Sequence, residues 1–195
     1  MSNKNSVPCL GFYKIDQSVS LPKFGTKGSA CFDLAYQPCD NKEIAIYTPN
    51  SKKTTREVNI KDKSIGVAPG ERAMIPTGLI MDIPSGYSVR VHPRSGLSLT
   101  KGVSLVNCEG VVDSDFVDEV HVLVVNNSGT KVVFVPGDRI AQAELVASLE
   151  YEMKETDKKP TQKTDRQGGY GSTGTSTTTS NTIVVQQKTE SANSV

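Results

Sequence analysis

Short apolar runs, each closed by a turn signal, constrain this chain more than any other feature. They fall at residues 11–15, 31–36, 44–47, 72–83, 87–92, 103–106, 120–125, 131–135 and 140–146. They are rich in Val and Ile, whose branched side chains suit a pleated, half-buried surface. Between them stand Ala68-Pro69-Gly70, Pro84-Ser85-Gly86, Asn126-Asn127-Ser128-Gly129 and Pro136-Gly137-Asp138. Proline presets φ, glycine supplies positive φ, and Asn and Asp bond to nearby backbone, so each cluster predicts a turn. Many short strands at regular spacing predict an all-β sandwich or barrel rather than a parallel α/β sheet. No long amphipathic helix is legible, and 95–101 predicts one short helical turn.

At 195 residues the chain can bury one sizeable core. Its 22 Lys+Arg against 21 Asp+Glu imply no basic face, which argues against a nucleic-acid partner. Cys9, Cys31, Cys39 and Cys108 form no CxxC pair, and only His92 and His121 could join them at a zinc site. Free thiols in a reducing compartment are expected. The N-terminus lacks a basic stretch followed by an apolar run. No apolar run approaches the ~20 residues that span a bilayer. A soluble chain without a membrane partner is expected, in the cytoplasm (the host cell's, for a viral chain).

Two segments depart from the strand pattern. Residues 40–63 are polar and Lys-rich, and predict a long loop or an exposed hairpin. From about Glu152 onward hydrophobic residues nearly vanish, and 175–195 is mostly Ser, Thr, Asn and Gln. Such a tail buries too little apolar area to offset its ordering entropy, so disorder is expected there. The expected organisation is a core over 1–165, a Gly-rich lid over 166–174 and the tail. The 40–63 segment and the tail are candidate sites for a protein partner.

Three strand-edge segments concentrate polar chemistry. Gly110-Val111-Val112-Asp113-Ser114-Asp115-Phe116-Val117-Asp118-Glu119 holds four carboxylates within seven residues. A solvated turn would use the same residues. A carboxylate near like charges or partly buried can also accept a proton from water, and Asp113 is the best placed. Pro93-Arg94-Ser95-Gly96-Leu97 combines a planar guanidinium, a hydroxyl and a close backbone approach, which suits phosphate as well as an ordinary turn. Gly137-Asp138-Arg139-Ile140-Ala141-Gln142 reads equally as a turn entering a strand, with Asp138 and Arg139 as a surface pair. In the tail, Gly168-Gly169-Tyr170-Gly171-Ser172-Thr173-Gly174 sets one aromatic among glycines. Its ring could stack on a nucleobase for about 1–3 kcal/mol, and its amides could cradle phosphate, as a lid that orders over ligand. It is not a Walker loop, because GxxxxGK[ST] is absent.

Taken in order, these segments resemble the five motifs of the trimeric dUTPase family. Gly28-Ser29-Ala30-Cys31-Phe32-Asp33-Leu34 is similar to its AGxDL. The second to fifth motifs are the Pro93, Gly110, Gly137 and Gly168 segments above, with Asn107 preceding the third. The resemblance covers residues 10–174 and implies a jelly-roll-like barrel, a homotrimer with shared active sites, dUTP as substrate and Mg²⁺ as cofactor. It implies that Asp113 orients the attacking water and touches the 3′-OH. Asn107, Val111 and Val112 would read uracil in a hairpin too narrow for thymine's methyl group. Phe116, standing where the family usually has Tyr, would pack under the deoxyribose. Arg94, Ser95, Gly96 and Gln142 would meet the phosphates, and Asp33 would hold Mg²⁺ through water. His121 is a candidate contact at a position where many members carry Lys. Tyr170 would stack on uracil, with Gly169, Gly171 and Ser172 around the phosphates. Arg166, one residue nearer Tyr170 than usual, would meet the γ-phosphate.

The implied activity is dUTP pyrophosphatase, cleaving dUTP to dUMP and pyrophosphate by water attack on the α-phosphorus. Two alternatives stay open at this level. One is a dUTP-sensing regulatory module. The other is a dCTP deaminase-like enzyme.

Overall fold

The protein is described by a computed structural model over residues 7–165. Among these residues the elements, in order, are β1 (Gly11–Lys14), β2 (Phe32–Ala35), β3 (Glu43–Tyr47), β4 (Lys53–Glu57), β5 (Ile65–Val67), β6 (Arg72–Pro76) and β7 (Leu79–Asp82). Then come β8 (Tyr87–His92), α1 (Ser95–Lys101), β9 (Val103–Leu105), β10 (Gly110–Val112), β11 (His121–Asn126), β12 (Val132–Phe134) and β13 (Arg139–Ala147). The all-β expectation holds, and 95–101 is the one helical segment among the described residues.

Two sheets carry the architecture, one ordered β10-β8-β13-β2 and the other β4-β3-β6-β11-β9; the pairs β1-β7 and β12-β5 complete it. Alternation sends one face of each strand inward, as the two-residue period of a strand requires. Leu34, Ile46, Ile75, Val89, Val122, Val124 and Ala143 meet in one buried core. The opposite faces of β8 and β13 carry Arg90, His92, Gln142 and Glu144, all partly exposed.

Residues 72–83, read from sequence as one run, form two strands. The break is at Thr77-Gly78. Gly78 has φ +68°, and a Cβ there would lie 2.7 Å from Val19 Cγ2 and 2.9 Å from Cys39 Sγ. Only glycine fits that backbone without strain. The bend hands the chain from β6 in the five-stranded sheet to β7, which pairs with β1.

The 40–63 segment is a hairpin built into the five-stranded sheet. β3 lies between β4 and β6, and Ile44 and Ile46 are in the core. Two polar ties fasten the excursion. The buried Tyr36 hydroxyl donates to Lys63 O at 2.8 Å, and burial pushes that phenol well above its ordinary value. Arg56 donates to Glu71 through Nη1 (2.6 Å) and Nη2 (2.8 Å). The hairpin is one of the two forms that the polar composition allowed, and both ties join residues far apart in sequence, which is why composition alone did not separate it from a long loop.

Asn126 closes β11 with no exposed surface. Its Nδ2 donates to Val67 O and Thr130 O, and its Oδ1 accepts from Ser128. A buried amide is tolerated when every donor and acceptor is used. The first compact unit is Met1–Tyr151 and the second Glu152–Val195; residues 152–165 of the second carry no regular element. The expected lid over 166–174 and the tail over 175–195 lie outside the described residues.

Candidate active site

The third motif forms the wall of a cleft because the arms of its hairpin join different sheets. β9 pairs with β11 in the five-stranded sheet, and β10 pairs with β8 in the four-stranded one. The connecting turn has Cys108 at φ +59°, and Glu109 N donates back to Asn107 O. Gly110 permits the close approach of β10 to β8, since a Cβ there would lie 3.1 Å from Val91 Cβ. β10 is an edge strand, so the backbone groups along its outer side are not used by a neighbouring strand.

The cleft that opens is about 260 Å³ and is lined by Asn107, Val111, Val112, Asp113, Phe116 and His121, with Met74 and Leu123 below. Val111 is 50 % exposed and Phe116 41 %. The exposed Asp113 carboxylate has no hydrogen-bond partner among the described residues. His121 is held by its own strand entry: Nδ1 lies 3.0 Å from Glu119 O, and Nε2 lies 3.6 Å from Glu119 Oε2. The other Glu119 oxygen accepts Gly78 N–H at 2.7 Å. Glu119 thus anchors His121 to the bend between β6 and β7, a link that the sequence reading missed.

The first, second and fourth motifs meet elsewhere. Their cleft, about 540 Å³, is lined by Ser29, Cys31, Asp33, Arg94, Ser95, Gly96, Arg139 and Gln142. The register explains the meeting: Gln142 on β13 faces Asp33 on β2 and His92 on β8. Asp33 accepts from Arg94 Nε at 2.8 Å and from Arg139 Nη1 at 3.1 Å. Arg94 Nη1 also donates to Arg139 O, and Gln142 Nε2 to Pro93 O. Arg139 does not form the surface pair with Asp138 that its sequence neighbourhood suggested. Asp138 instead accepts Val135 N–H at 2.9 Å, which frees Arg139 to join Arg94. Arg139 is therefore a candidate site residue that its own motif did not single out. Burial, with Glu144 and Asp33 nearby, raises the Cys31 thiol above its usual range.

These two clefts are apart on one chain. Gly110 faces Val91 and Val112 faces Val89, so Asp113 falls beside Ser88. Arg94 lies beyond the far end of β8, in extended backbone. Six residues of strand separate the two levels, or about 20 Å at ~3.3 Å per residue. Of the expected contacts, Asn107, Val111, Val112, Asp113, Phe116 and His121 gather in one cleft, and Asp33, Arg94, Ser95, Gly96 and Gln142 in the other. Arg166, Gly169, Tyr170, Gly171 and Ser172 lie outside the described residues. Among the described residues no helix is long and apolar enough to cross a membrane.

An all-β sandwich with one apolar cleft beside a free carboxylate, and a second cleft lined by arginines, has the parts of a nucleotide-handling protein. The dUTPase family model matches residues 59–174. The deoxyuridine 5'-triphosphate nucleotidohydrolase of Brucella melitensis is 34 % identical, over 88 % of this chain and 96 % of that protein. The Finegoldia magna protein of the same name is 37 % identical over 79 % and 91 %. The Staphylococcus bacteriophage 80alpha dUTPase structure shares the fold, with TM-score 0.62 at 16 % identity, over 86 % of this chain and 99 % of that one. The chain belongs to the dUTPase family.

Proposed function

We propose that this protein hydrolyses dUTP to dUMP and pyrophosphate, with Asp113 orienting water for attack on the α-phosphorus. The observation that carries the reading is the division of labour between the clefts: a free carboxylate beside an apolar slot, and paired arginines on a different cleft. A triphosphate spans base and phosphate groups, and the ~20 Å between Asp113 and Arg94 is too far for one chain to serve both ends of the reacting centre. The active site is therefore formed between copies, with the cleft of one facing the arginines of the next, in the homotrimer that the family resemblance implies. The half-exposed Val111, Phe116, Met74 and Leu123 then gain cover from ligand and neighbour.

The free edge of β10 offers alternating N–H and C=O groups to the edge of uracil, and Asn107 adds an amide. The hairpin that carries Asn107, Val111 and Val112 would leave no room for a methyl group on the base, as the family resemblance implies. Phe116 supplies a flat face under the deoxyribose, so selection against a 2′-OH rests on shape. Arg94, Ser95, Gly96, Arg139 and Gln142 neutralise and align the phosphates, which is most of what such a reaction demands. Asp113 accepts the water's proton as the phosphorus–oxygen bond forms, and pyrophosphate leaves.

The donors around Asp33 fit Mg²⁺ held through water. Each Asp33 oxygen already accepts one arginine N–H, leaving one lone pair on each. Asp33 would thus hold Mg²⁺ through water, with the triphosphate oxygens as the ion's direct ligands, as would suit a hard cation that keeps its waters. When bound, Mg²⁺ supplies charge neutralisation on the triphosphate. Residues 166–174 would close over the ligand, with Tyr170 on uracil and Arg166 at the γ-phosphate.

The test is a substrate panel of dUTP, dTTP, dCTP and UTP with Mg²⁺, reading pyrophosphate and ammonia. Pyrophosphate from dUTP alone is expected. Asp113→Asn should keep nucleotide binding and lose about 10²–10⁴ in turnover. Wild-type turnover by that variant would overturn the base assignment. Binding of dUTP without pyrophosphate release would favour the sensing module, and ammonia from dCTP the deaminase.

A further inference from the structure

We propose that Cys31, His92 and Glu144 form a binding site for a borderline-soft divalent cation of the Zn²⁺ type, distinct from Mg²⁺. One ligand atom from each lies within 4.8 Å of the others. The three come from three neighbouring chain segments: Cys31 just before β2, His92 at the end of β8, Glu144 on β13. The strand pairing brings them together. Ala143 faces Phe32, so Glu144 falls level with Cys31, and His92 faces Gln142, two residues away on the same side of β13. All three stand on the polar face of the sheet and are partly buried.

The donor set selects the ion. A thiolate, an imidazole and one carboxylate suit Zn²⁺ or Co²⁺, whereas Mg²⁺ takes oxygen ligands at octahedral angles. Three protein ligands leave a fourth tetrahedral position for water. Tetrahedral Zn²⁺ places its ligand atoms about 3.5 Å apart, so modest side-chain rotations complete the site. His92 has a carboxylate near each ring nitrogen. Its Nε2 lies 3.2 Å from Glu144 Oε1, and its Nδ1 lies 3.7 Å from Glu109 Oε1, just beyond hydrogen-bond range. Arg90 holds Glu109 from the other side at 3.4 Å. A small rotation of Glu109 would let it keep the proton on Nδ1 and turn Nε2 to the metal. On binding, the Cys31 thiol releases its proton to solvent and the sulfur–metal bond forms; no oxidant is involved.

The site would clamp the chain entering β2 to β8 and β13. Cys31 is also a wall of the arginine cleft, two residues from Asp33. An ion there fixes the backbone that carries Asp33.

The experiment is a Co²⁺ titration of the full chain, stripped with chelator and kept reduced. One equivalent per chain should give tetrahedral ligand-field bands and a thiolate-to-cobalt charge-transfer band. Zn²⁺ should abolish both, and excess Mg²⁺ neither. Cys31→Ser should lose the charge-transfer band, whereas Cys9→Ser, Cys39→Ser and Cys108→Ser keep it. Glu109→Gln should weaken Co²⁺ binding about tenfold, and Glu144→Gln by more. Absence of the band at one equivalent, its survival in Cys31→Ser, or its loss to Mg²⁺ would each overturn the proposal. These readouts do not depend on dUTP turnover.

Discussion

Replacing Glu71 by Gln tests how the hairpin of residues 40–63 is fastened. The Glu71 carboxylate accepts Arg56 Nη1 at 2.6 Å, Arg56 Nη2 at 2.8 Å and Ala68 N at 2.7 Å. Its side chain is 10 % exposed and that of Arg56 31 %. A hydrogen bond to a charged group contributes about 1.5–3 kcal/mol, and glutamine cannot accept all three with one oxygen. Arg56 is exposed enough to recover water on its free side, which limits the loss. The expected destabilisation at neutral pH is therefore about 2–3 kcal/mol, with Glu71→Ala nearer the 3 kcal/mol or more of a broken buried pair. The hydrogen bond from Arg56 is the main cause of the lowered Glu71 pKa, opposed by desolvation. A depressed acid contributes fully above its unfolded value, about 4.3, and that stability is lost as pH falls through the folded value. Wild type and Glu71→Gln should thus converge in acid. Urea unfolding at fixed protein concentration, followed by circular dichroism from pH 7 to pH 3, reads both effects. A gap under about 0.5 kcal/mol at pH 7, or one that stays constant into acid, would refute the reasoning.

Three further outcomes are expected. Gly78→Ala, forced to φ +68° with its Cβ 2.7 Å from Val19, should lose about 2–3 kcal/mol of stability in the same unfolding assay. Phe116→Ala should lower the preference for dUTP over UTP by about tenfold in kcat/KM; an unchanged ratio would remove Phe116 from sugar selection. Truncation at Asp165 should reduce kcat/KM strongly, while truncation after Gly174 should change it little; equal activity in the two would remove the lid.

The fold class was legible because turn chemistry and Val/Ile runs act locally. β11 carries a near-continuous apolar run, β8 and β13 alternate apolar with polar residues, and all three lie within a residue or two of the apolar runs in the sequence. What stayed open or went unread depended on distant partners. β4, with Lys53-Thr54-Thr55-Arg56-Glu57, is almost wholly exposed and becomes a strand because β3 pairs with it. The break at Gly78 follows from Val19 and Cys39 crowding one backbone position. The candidate site residues were readable as ordered motifs. Their split into two clefts was not, since it depends on which sheet each hairpin arm joins. Arg139 shows the same limit: its partner Asp33 is 106 residues away, and its neighbour Asp138 looked the more natural one.

The separation of Asp113 from Arg94 along β8 has a genetic reading. If no chain completes its own site, two defective chains can repair each other when mixed. On the proposed roles, an Asp113→Asn chain would keep its arginines, and an Arg94→Ala chain would keep its base. Random assembly of equal amounts leaves about a quarter of the sites with both halves intact, the product of two even chances in a closed symmetric ring. Each variant alone would be nearly silent, and the mixture would recover roughly that fraction of wild-type turnover after the subunits exchange. By the same counting, a copy damaged in one cleft disables one site, so mixed with sound copies it would behave as a simple loss by dosage. A copy damaged in both clefts would disable two sites, and an equal mixture with sound copies would keep about a quarter of them, which is partial dominance.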